Sequence, residues 1–270
     1  MFDVTASIVL FKNGKMELVK AIECFLSVNL KTKLYLVDNS PTDELGEIVK
    51  DSRVEYIFND RNLGFGKAHN IVLKRILKIS KYHLILNPDV YFELGLIEEL
   101  VEFLNLEKGV GQVMPKVLYP NGEIQYTGKL LPTPLDLIAR RFLSFIKIFV
   151  KMDELYVLRE SGYNKLMNVP QLSGCFMLLR TETVRKVGLF DERYFMYTED
   201  IDMTRRIHSH YNTIYYPYRC IFHGFEKGSY KNAKLLGYHI RSAFRYFNKW
   251  GWFWDSERTF FNGRARRKYL

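Results

Sequence analysis

The sequence predicts an α/β fold in which a mostly parallel central sheet is covered by helices on both faces. Short apolar strand patterns alternate with amphipathic helical patterns over residues 1–118. The strand patterns are almost continuously apolar, which is typical of parallel strands buried on both sides. Polar clusters follow three of these strands, and ligands bind at the carboxyl edge of open parallel sheets. At 270 residues the chain is long enough for one large domain or two small ones.

The apolar periodicity predicts the individual elements in chain order. Continuous apolar runs predict strands at residues 4–11, 34–37, 54–58, 83–86, 175–179 and 213–216. Helical spacing predicts helices at residues 16–28, 43–50, 66–79, 93–106, 181–187, 201–208 and 230–249. A further amphipathic stretch at 135–158 interrupts this alternation, and we interpret 130–170 as an insert.

Composition and charge favour an enzyme body with a basic, aromatic tail. The chain is 47% apolar and 26% charged, which excludes a disordered or fibrous protein. Its net charge is +10, and residues 241–270 contribute +6 together with ten aromatic residues. Three widely spaced cysteines argue against a disulfide framework or a zinc site and favour the cytosol. The N-terminus lacks a signal-peptide pattern, and no apolar window predicts a membrane-spanning helix.

Three polar clusters are the candidates for a ligand site. They follow predicted strands and comprise residues 38–40 (Asp-Asn-Ser), 59–66 and 87–89 (Asn-Pro-Asp). One such cluster is typical of a turn, whereas three at one sheet edge favour a site. The glycines of the second cluster do not complete a dinucleotide-binding motif, and they also fit a tight turn before a helix.

The densest group of carboxylates is Glu199, Asp200 and Asp202, at the start of a predicted helix. Acidic residues at a helix N-terminus gain from the helix dipole, which is a purely structural explanation. The alternative is a carboxylate base presented by the helix, with Asp202 and Arg205 tying that helix down. The residues alone leave both explanations open.

Six motifs occur in the order found in family 2 glycosyltransferases, and the chain resembles their rhamnosyltransferase-like branch over residues 4–225. The motifs lie at 38–40, 62–70, 86–90, 174–180, 190–192 and 195–202. The resemblance implies a GT-A fold with a Rossmann-like sheet, a nucleotide-sugar donor, a divalent metal and inversion at the anomeric carbon. We expect a GT-A domain at 1–225, with a nucleotide-sugar-binding half at 1–118 and an acceptor-binding half at 119–225. A helical, basic and aromatic extension would follow at 226–270.

The resemblance also implies which residues bind the donor. Asp38 matches the family's nucleoside-binding acid. That role suits a carboxylate, because it can accept hydrogen bonds from a base N–H or a ribose hydroxyl. Asn62, Gly64 and Asn87 are expected to contact the nucleotide sugar as well.

The metal and acceptor roles follow from the same resemblance. Asp89 and His223 would bind Mg²⁺ or Mn²⁺, with Asn87 in place of the first acid of the metal-binding motif. A structural role for His223 is the alternative. Asp200 matches the catalytic base, which takes the proton of the acceptor hydroxyl as its oxygen attacks the sugar. Glu199 could contact the acceptor.

The expected activity is inverting transfer of a hexose to a saccharide acceptor in O-antigen or capsule biosynthesis. The resemblance favours L-rhamnose from dTDP-rhamnose, and UDP-linked galactose, glucose or N-acetylhexosamine are the alternatives. A nucleotidyltransferase and a basic nucleic-acid-binding protein are further alternatives. A nucleotidyltransferase would need a glycine-rich loop after the first strand, which this sequence lacks. A nucleic-acid-binding protein would not need the acidic cluster. We expect no nucleic-acid partner.

The basic tail and the stretch at 135–150 predict where the enzyme works. They would hold it on the inner, cytoplasmic face of the plasma membrane by binding anionic lipid, near an acceptor linked to polyprenyl diphosphate. Packing of the tail on the enzyme body is the alternative.

Overall fold

The computed structural model describes residues 1–137, 146–224 and 233–270 and is built around a ten-stranded sheet. The described strands are β1 (Phe2–Leu10), β2 (Thr32–Asp38), β3 (Val54–Phe58), β4 (Ser80–Leu86), β5 (Val90–Phe92), β6 (Val110–Leu118), β7 (Ile124–Gln125), β8 (Gly128–Lys129), β9 (Met167–Asn168), β10 (Gln171–Leu172), β11 (Phe176–Arg180) and β12 (Asn212–His223). The described helices are α1 (Lys15–Leu26), α2 (Phe65–Ile76), α3 (Leu96–Leu106), α4 (Lys147–Tyr156), α5 (Thr181–Val187), α6 (Glu199–His208), α7 (Ala233–Trp250) and α8 (Ser256–Tyr269).

The strands are ordered β3-β2-β1-β4-β11-β6-β12-β5 across the sheet. The four strands β3, β2, β1 and β4 are mutually parallel, which confirms the predicted parallel sheet in this part of the chain. Strand β11 joins antiparallel to both β4 and β6, whereas β12 runs parallel to β6. Because the parallel strands end at one edge, the residues that follow β2, β3 and β4 lie side by side.

Each buried strand supplies apolar side chains to both faces of the sheet, because successive side chains point to opposite sides. On one face, Leu36 and Leu86 pack with α1 and α3. On the other face, Val37 and Ile85 pack with α2, α5 and α6. The continuous apolar runs therefore reflect burial on two sides, as the sequence predicts.

The structure differs from the predicted elements in several places, and strands β5 and β7 to β10 and helix α8 have no predicted counterpart. The helix expected at 43–50 is a short 3₁₀ helix, Glu44–Ile48. Strand β12 is far longer than the predicted 213–216, because an irregularity in its pairing with β6 lets it continue past Pro217. Strand β6 was not predicted. The amphipathic stretch contains α4, while 138–145 lies outside the described residues.

The C-terminal segment is helical, as expected, and packs on the enzyme body. Tyr246, Phe247 and Phe261 of α7 and α8 form a buried cluster with Tyr194 and Ile201. The predicted domain boundary at 225/226 falls within 225–232, outside the described residues. Across the described helices, we find none with the length and apolar character needed to cross a bilayer.

Candidate active site

Asp38 organises the end of strand β2. Its side chain is fully buried, and both carboxylate oxygens accept hydrogen bonds from the protein. The backbone N–H of Ser40 donates to Oδ1 at 2.7 Å, and the hydroxyl of Tyr56 donates to Oδ2 at 2.7 Å. Burial and the bond to Asp38 raise the pKa of the Tyr56 hydroxyl, so that this hydroxyl stays protonated and remains a donor. Nucleoside binding by Asp38 stays a prediction.

Hydrogen bonds fix the loop between β3 and α2. They join two of the predicted donor-binding residues, Asn62 and Gly64, to each other and to Asn39. Asn39 Nδ2 donates to the Gly64 carbonyl at 3.2 Å, and the Gly64 N–H donates to Asn62 Oδ1 at 2.9 Å. Gly64 has φ +81°, and a Cβ there would lie 2.1 Å from the Phe195 carbonyl oxygen. Only glycine therefore fits, and the next N–H, that of Phe65, donates to the same carbonyl at 3.0 Å. The glycine-rich loop is thus built to dock on the segment that precedes α6.

Asn87, Asp89 and His223 come together although 136 residues separate the first from the last. His223 Nε2 lies 3.3 Å from Asn87 Nδ2 and 3.5 Å from Asp89 Oδ1. The histidine is almost fully buried, whereas Asp89 is partly exposed. The antiparallel pairing of β5 with the end of β12 brings the three residues together.

Gln125, which sequence reasoning missed, determines the orientation of His223. Its Nε2 donates to the His223 carbonyl at 2.8 Å and to the Leu118 carbonyl at 3.4 Å, which fixes the amide orientation. Its Oε1 therefore faces His223 Nδ1 at 3.1 Å and accepts a hydrogen bond from the Nδ1–H. Since burial lowers the pKa of His223, the ring is neutral and Nε2 presents its lone pair beside Asp89. A neutral histidine held in this way is the usual form of a metal ligand.

Asp200 lies at the start of α6 and is connected to strand β11. The Gly174 N–H donates to Asp200 Oδ2 at 2.9 Å, and the Ile201 N–H donates to Oδ1 at 2.9 Å. Burial nonetheless raises the pKa of Asp200, a shift that improves a carboxylate as a general base.

Cys175 directly precedes strand β11 and lies near two of the predicted site carboxylates. Burial raises the pKa of its thiol to about 12, and the charges of Asp89 and Asp200 contribute to that shift. Its carbonyl accepts from the Asn87 N–H at 3.0 Å. The residues just before β11 are therefore close to both Asp89 and Asp200, and we expect the predicted metal and acceptor residues to belong to one site.

Glu199 differs from every other acid in the site. Only 5% of the residue is exposed, and its Oε2 is buried without a hydrogen-bond partner among the residues that the structure describes. Burial, reinforced by the charge of Asp200, raises the pKa of Glu199 to about 8. The two preceding residues, Tyr197 and Thr198, have φ of +71° and +65°, a conformation that costs energy in non-glycine residues. Strain and an unsatisfied acid at one turn are typical of a functional site.

The structure thus brings together most of the predicted site residues. Asn87, Asp89 and His223 form one group, and Glu199 and Asp200 form the other. Asp38, Asn62 and Gly64 form a separate hydrogen-bonded loop at the ends of β2 and β3. Among the described residues, no group of three or more His, Cys, Asp or Glu side chains is arranged to hold a metal.

The model of the family "Glycosyl transferase family 2" matches residues 7–187. This match covers more than half of the chain, which therefore belongs to glycosyl transferase family 2. The matched region contains the loop residues, Asn87 and Asp89, whereas Asp200 and His223 lie beyond it.

Curated relatives place the chain near rhamnosyltransferases. An N-acetylglucosaminyl-diphospho-decaprenol L-rhamnosyltransferase of Mycobacterium tuberculosis (strain H37Rv) is 26% identical over 208 residues, covering 69% of this chain and 66% of the relative. The rhamnosyltransferase WbbL of Escherichia coli (strain K12) is 26% identical over 196 residues, covering 68% of this chain and 69% of the relative. The chain thus spans about two thirds of the length of the relatives it matches.

Solved structures show the same fold at low sequence identity. GalNAc-T7 with UDP, GalNAc and Mn²⁺ has a TM-score of 0.62 and 15% identity, and the match covers 84% of this chain and 45% of that one. The mannosyltransferase PcManGT of Pyrobaculum calidifontis with GDP-Man and Mn²⁺ has a TM-score of 0.59 and 17% identity, with 90% and 64% coverage. The chain therefore has the GT-A fold, with C-terminal helices added to it.

Proposed function

We propose that the chain is an inverting glycosyltransferase that moves L-rhamnose from dTDP-rhamnose onto a saccharide acceptor of a bacterial surface polysaccharide. The observation that carries the proposal is the placement of two acid sites beside one strand start. The Cys175 carbonyl accepts from the Asn87 N–H and the Gly174 N–H donates to Asp200, so Asp89 and Asp200 both lie near the start of β11. This arrangement suits a reaction in which one acid helps to hold a departing diphosphate and the other activates an acceptor oxygen.

Asp200 performs the proton transfer in this proposal. An acceptor hydroxyl oxygen attacks the anomeric carbon of the donor while Asp200 takes the hydroxyl proton. The bond from that carbon to the diphosphate oxygen breaks, and the nucleoside diphosphate departs with the bonding electrons. Because the attack occurs opposite the leaving group, the configuration at the anomeric carbon is inverted. The bonds from Gly174 and Ile201 hold the Asp200 carboxylate in place for this step.

The residues at Asp89 fit a divalent cation. His223 Nε2 and Asp89 Oδ1 are two acceptor atoms 3.5 Å apart, and a neutral histidine does not supply a proton between them. Mg²⁺ and Mn²⁺ are commonly bound by one or two protein groups together with substrate phosphates. A cation bound here would neutralise the negative charge of the departing diphosphate. Asn87 contributes an amide beside it, in place of a second acid.

Rhamnose as the sugar rests on the two curated relatives, whose names specify it. The name of the mycobacterial relative also contains a diphospho-decaprenol, so we propose a polyprenyl-diphosphate-linked acceptor for this chain as well. The acidic character of the site argues against nucleic acid as the partner, because phosphate backbones require cationic surfaces.

A donor panel tests the proposal. The full-length chain is incubated with Mg²⁺ or Mn²⁺ and with dTDP-rhamnose, UDP-galactose, UDP-glucose or a UDP-N-acetylhexosamine, and the release of nucleoside diphosphate is measured. The proposal predicts release from dTDP-rhamnose that exceeds release from the UDP-sugars and increases with a lipid-diphosphate saccharide. Preferential release from a UDP-sugar would show that dTDP-rhamnose is not the preferred donor. No release from any donor would overturn the proposed glycosyltransferase activity.

We further propose that the enzyme works while peripherally bound to the cytoplasmic face of the membrane through an aromatic tip. This tip is the turn between α7 and α8, where Phe253 and Trp254 are 81% and 92% exposed. Phe244 and Phe260 of the adjacent helices are also exposed. Exposed arginines and a lysine accompany them along α8: Arg264, Arg266, Arg267 and Lys268. Aromatic rings at the headgroup level with cations beside them match the surface of an anionic bilayer.

Vesicle binding tests the aromatic tip. We expect the chain to sediment with phosphatidylglycerol vesicles at low salt and to be released by high salt. The double variant Phe253→Ser/Trp254→Ser should bind at least about 10-fold more weakly, since the loss of each buried aromatic contact costs ~1.5–3 kcal/mol. The matched control, Met16→Ser/Leu94→Ser, removes two exposed apolar side chains elsewhere. Equal binding by both double variants would exclude the tip as the anchor.

A further inference from the structure

The helix that presents Glu199 and Asp200 is held by the C-terminal helices through buried charges. Helix α6 turns 100° per residue, so Asp202 and Arg205 lie on the side opposite Asp200. Both residues are essentially inaccessible to solvent. Sequence reasoning considered them a pair with each other, but the structure pairs each of them with a different part of α7 and α8.

Arg205 is bound on three sides by the C-terminal segment. Its Nη1 and Nη2 donate to the two oxygens of Asp255 at 2.8 and 2.7 Å, and its Nε donates to Glu257 at 2.7 Å. The guanidinium lies 4.0 Å from the ring centroid of Trp250. Tyr246 adds a hydroxyl acceptor at 3.3 Å. A planar guanidinium bound in this way fixes both the distance and the rotation of the helix that carries it.

Asp202 forms a second connection one turn closer to the catalytic end. Its Oδ1 accepts from Lys249 Nζ at 2.6 Å and from Trp250 Nε1 at 2.8 Å. Its Oδ2 accepts from Arg206 at 2.9 Å. Trp250 therefore contacts both anchored residues of α6, through its N–H and through its ring.

A third connection reaches the strained turn before α6. Ser242 Oγ of α7 donates to the Met196 carbonyl at 2.7 Å, and Thr198 Oγ1 donates to the Ser242 carbonyl at 3.3 Å. Only Glu199 separates Thr198 from Asp200 in the chain. The helix is thus fixed to α7 and α8 both ahead of its catalytic residues and behind them.

We infer that Asp202 and Arg205 are positioning residues and that helices α7 and α8 act as a brace for the catalytic carboxylates. The inference rests on the proposed function, because it assigns the purpose of the brace to Asp200. An apolar contact alone would hold α6 to the body but would let it rotate or slide slightly. Two buried ion-pair groups allow one arrangement only, and a displacement of about 1 Å at a reacting group can cost on the order of 100-fold in rate.

The variant Asp255→Asn tests the brace with little change to the fold. Asparagine keeps the size of the side chain and can still cap α8, where Asp255 accepts from the Arg258 N–H. Glu257 remains as a partner of Arg205, so no buried charge is left alone. We expect unchanged binding of dTDP, a kcat lowered about 10-fold with KM for the donor within twofold, and a shifted pH profile of kcat. Amide hydrogen exchange at residues 199–202 should accelerate, while exchange in α1 stays unchanged.

Matched variants separate positioning from general destabilisation. Glu154→Gln removes the exposed ion pair with Arg159, formed at 2.8 Å, and should change neither kcat nor exchange at 199–202. If Asp255→Asn does not fold, Trp250→Phe removes the N–H bond to Asp202 together with part of the indole, and it keeps an aromatic ring beside Arg205. A folded variant with faster exchange at 199–202 but unchanged kcat and pH profile would overturn the inference. A lowered kcat without faster exchange at 199–202 would also overturn the inference. If the wild type transfers no sugar, the proposed function fails, and unchanged exchange would overturn the brace separately.

Discussion

Asp38 lies at the proposed nucleotide end of the candidate site and Glu199 at its proposed acceptor end, and both carboxylates are almost completely buried. Asp38 accepts hydrogen bonds on both oxygens, from Ser40 and Tyr56. Within the described part of the chain Glu199 Oε2 has no hydrogen-bond partner, and burial raises the pKa of Glu199 to about 8. One buried acid is thus satisfied by the protein, and the other is left for a substrate or a proton.

This difference separates binding architecture from reaction chemistry. Around Asp38, the loops at the ends of β2 and β3 bond mainly to one another, which favours a rigid platform for the proposed donor. Just before Glu199 and Asp200, the backbone is strained at Tyr197 and Thr198, and burial raises the pKa of both carboxylates. Proteins tolerate such local costs mainly at functional sites, so mutations at the two ends should fail in different ways.

The largest effect is expected at the acceptor end, for Asp200→Asn. Loss of the general base should lower the transfer rate by at least about 100-fold, while affinity for dTDP-rhamnose stays within twofold. The amide oxygen can still accept from Gly174, so the local fold is retained. Turnover and donor titration on the same preparation measure both quantities. Glu160→Gln, which changes an exposed acid, is the control. A transfer rate lowered less than tenfold by Asp200→Asn would contradict the assignment of Asp200 as the general base.

A large but different failure is expected for Asp89→Ala. Removal of this carboxylate should weaken donor binding by at least about 10-fold and abolish the response of the rate to Mg²⁺ or Mn²⁺. Donor titrations with and without added metal, for wild type and variant, measure this difference. A wild type that is fully active in excess chelator would contradict the metal assignment.

A smaller effect is expected for Gln125→Leu, which leaves every proposed ligand in place. Without the amide, His223 loses the acceptor that holds its Nδ1 proton, so Nε2 no longer presents a fixed lone pair. Loss of such a supporting group commonly costs about 10–100-fold in metal affinity. The metal concentration for half-maximal activity should rise accordingly. Asn105→Ala, which removes a hydrogen bond from Tyr82 far from the site, should leave that concentration unchanged.

The smallest effect concerns the pH dependence of stability at Glu199. The pKa of this acid is raised from 4.5 to about 8 by folding, so the folded chain binds more protons than the unfolded chain between these values. Its contribution to stability therefore decreases as pH rises from about 5 to 9. Glu199→Gln removes that decrease, and thermal unfolding should show the variant gaining stability over wild type as pH rises. A difference in Tm that is constant from pH 5 to 9 would contradict the burial of an unpartnered acid.

The parallel half of the fold could be predicted from sequence because its strands carry their own signal. Continuous apolar runs such as those around Leu36 and Ile85 need no partner to be recognised. Strand β6 escaped prediction because Gly111, Gln112 and Pro115 interrupt its apolar pattern. The length of β12 escaped prediction because its continuation depends on pairing with β6, which no local pattern encodes.

The site divides in the same way. Residues in motifs, such as Asp89 and Asp200, could be named from the sequence. Gln125 could not, because it acts on His223 across 98 residues and lies in a two-residue strand. The basic tail was expected to face a membrane, yet Lys249 and Arg258 turn inward toward acids and carbonyls of the protein. Net charge counts such residues but does not reveal their partners.

The stereochemistry of the product tests the central claim most directly. The full-length chain is supplied with dTDP-rhamnose, divalent metal and a lipid-diphosphate saccharide, and the anomeric configuration of the new linkage is determined by nuclear magnetic resonance. Direct attack by an acceptor oxygen activated by Asp200 predicts a configuration opposite to that of the donor. A product that retains the donor configuration would contradict the single displacement and the role of Asp200 in it.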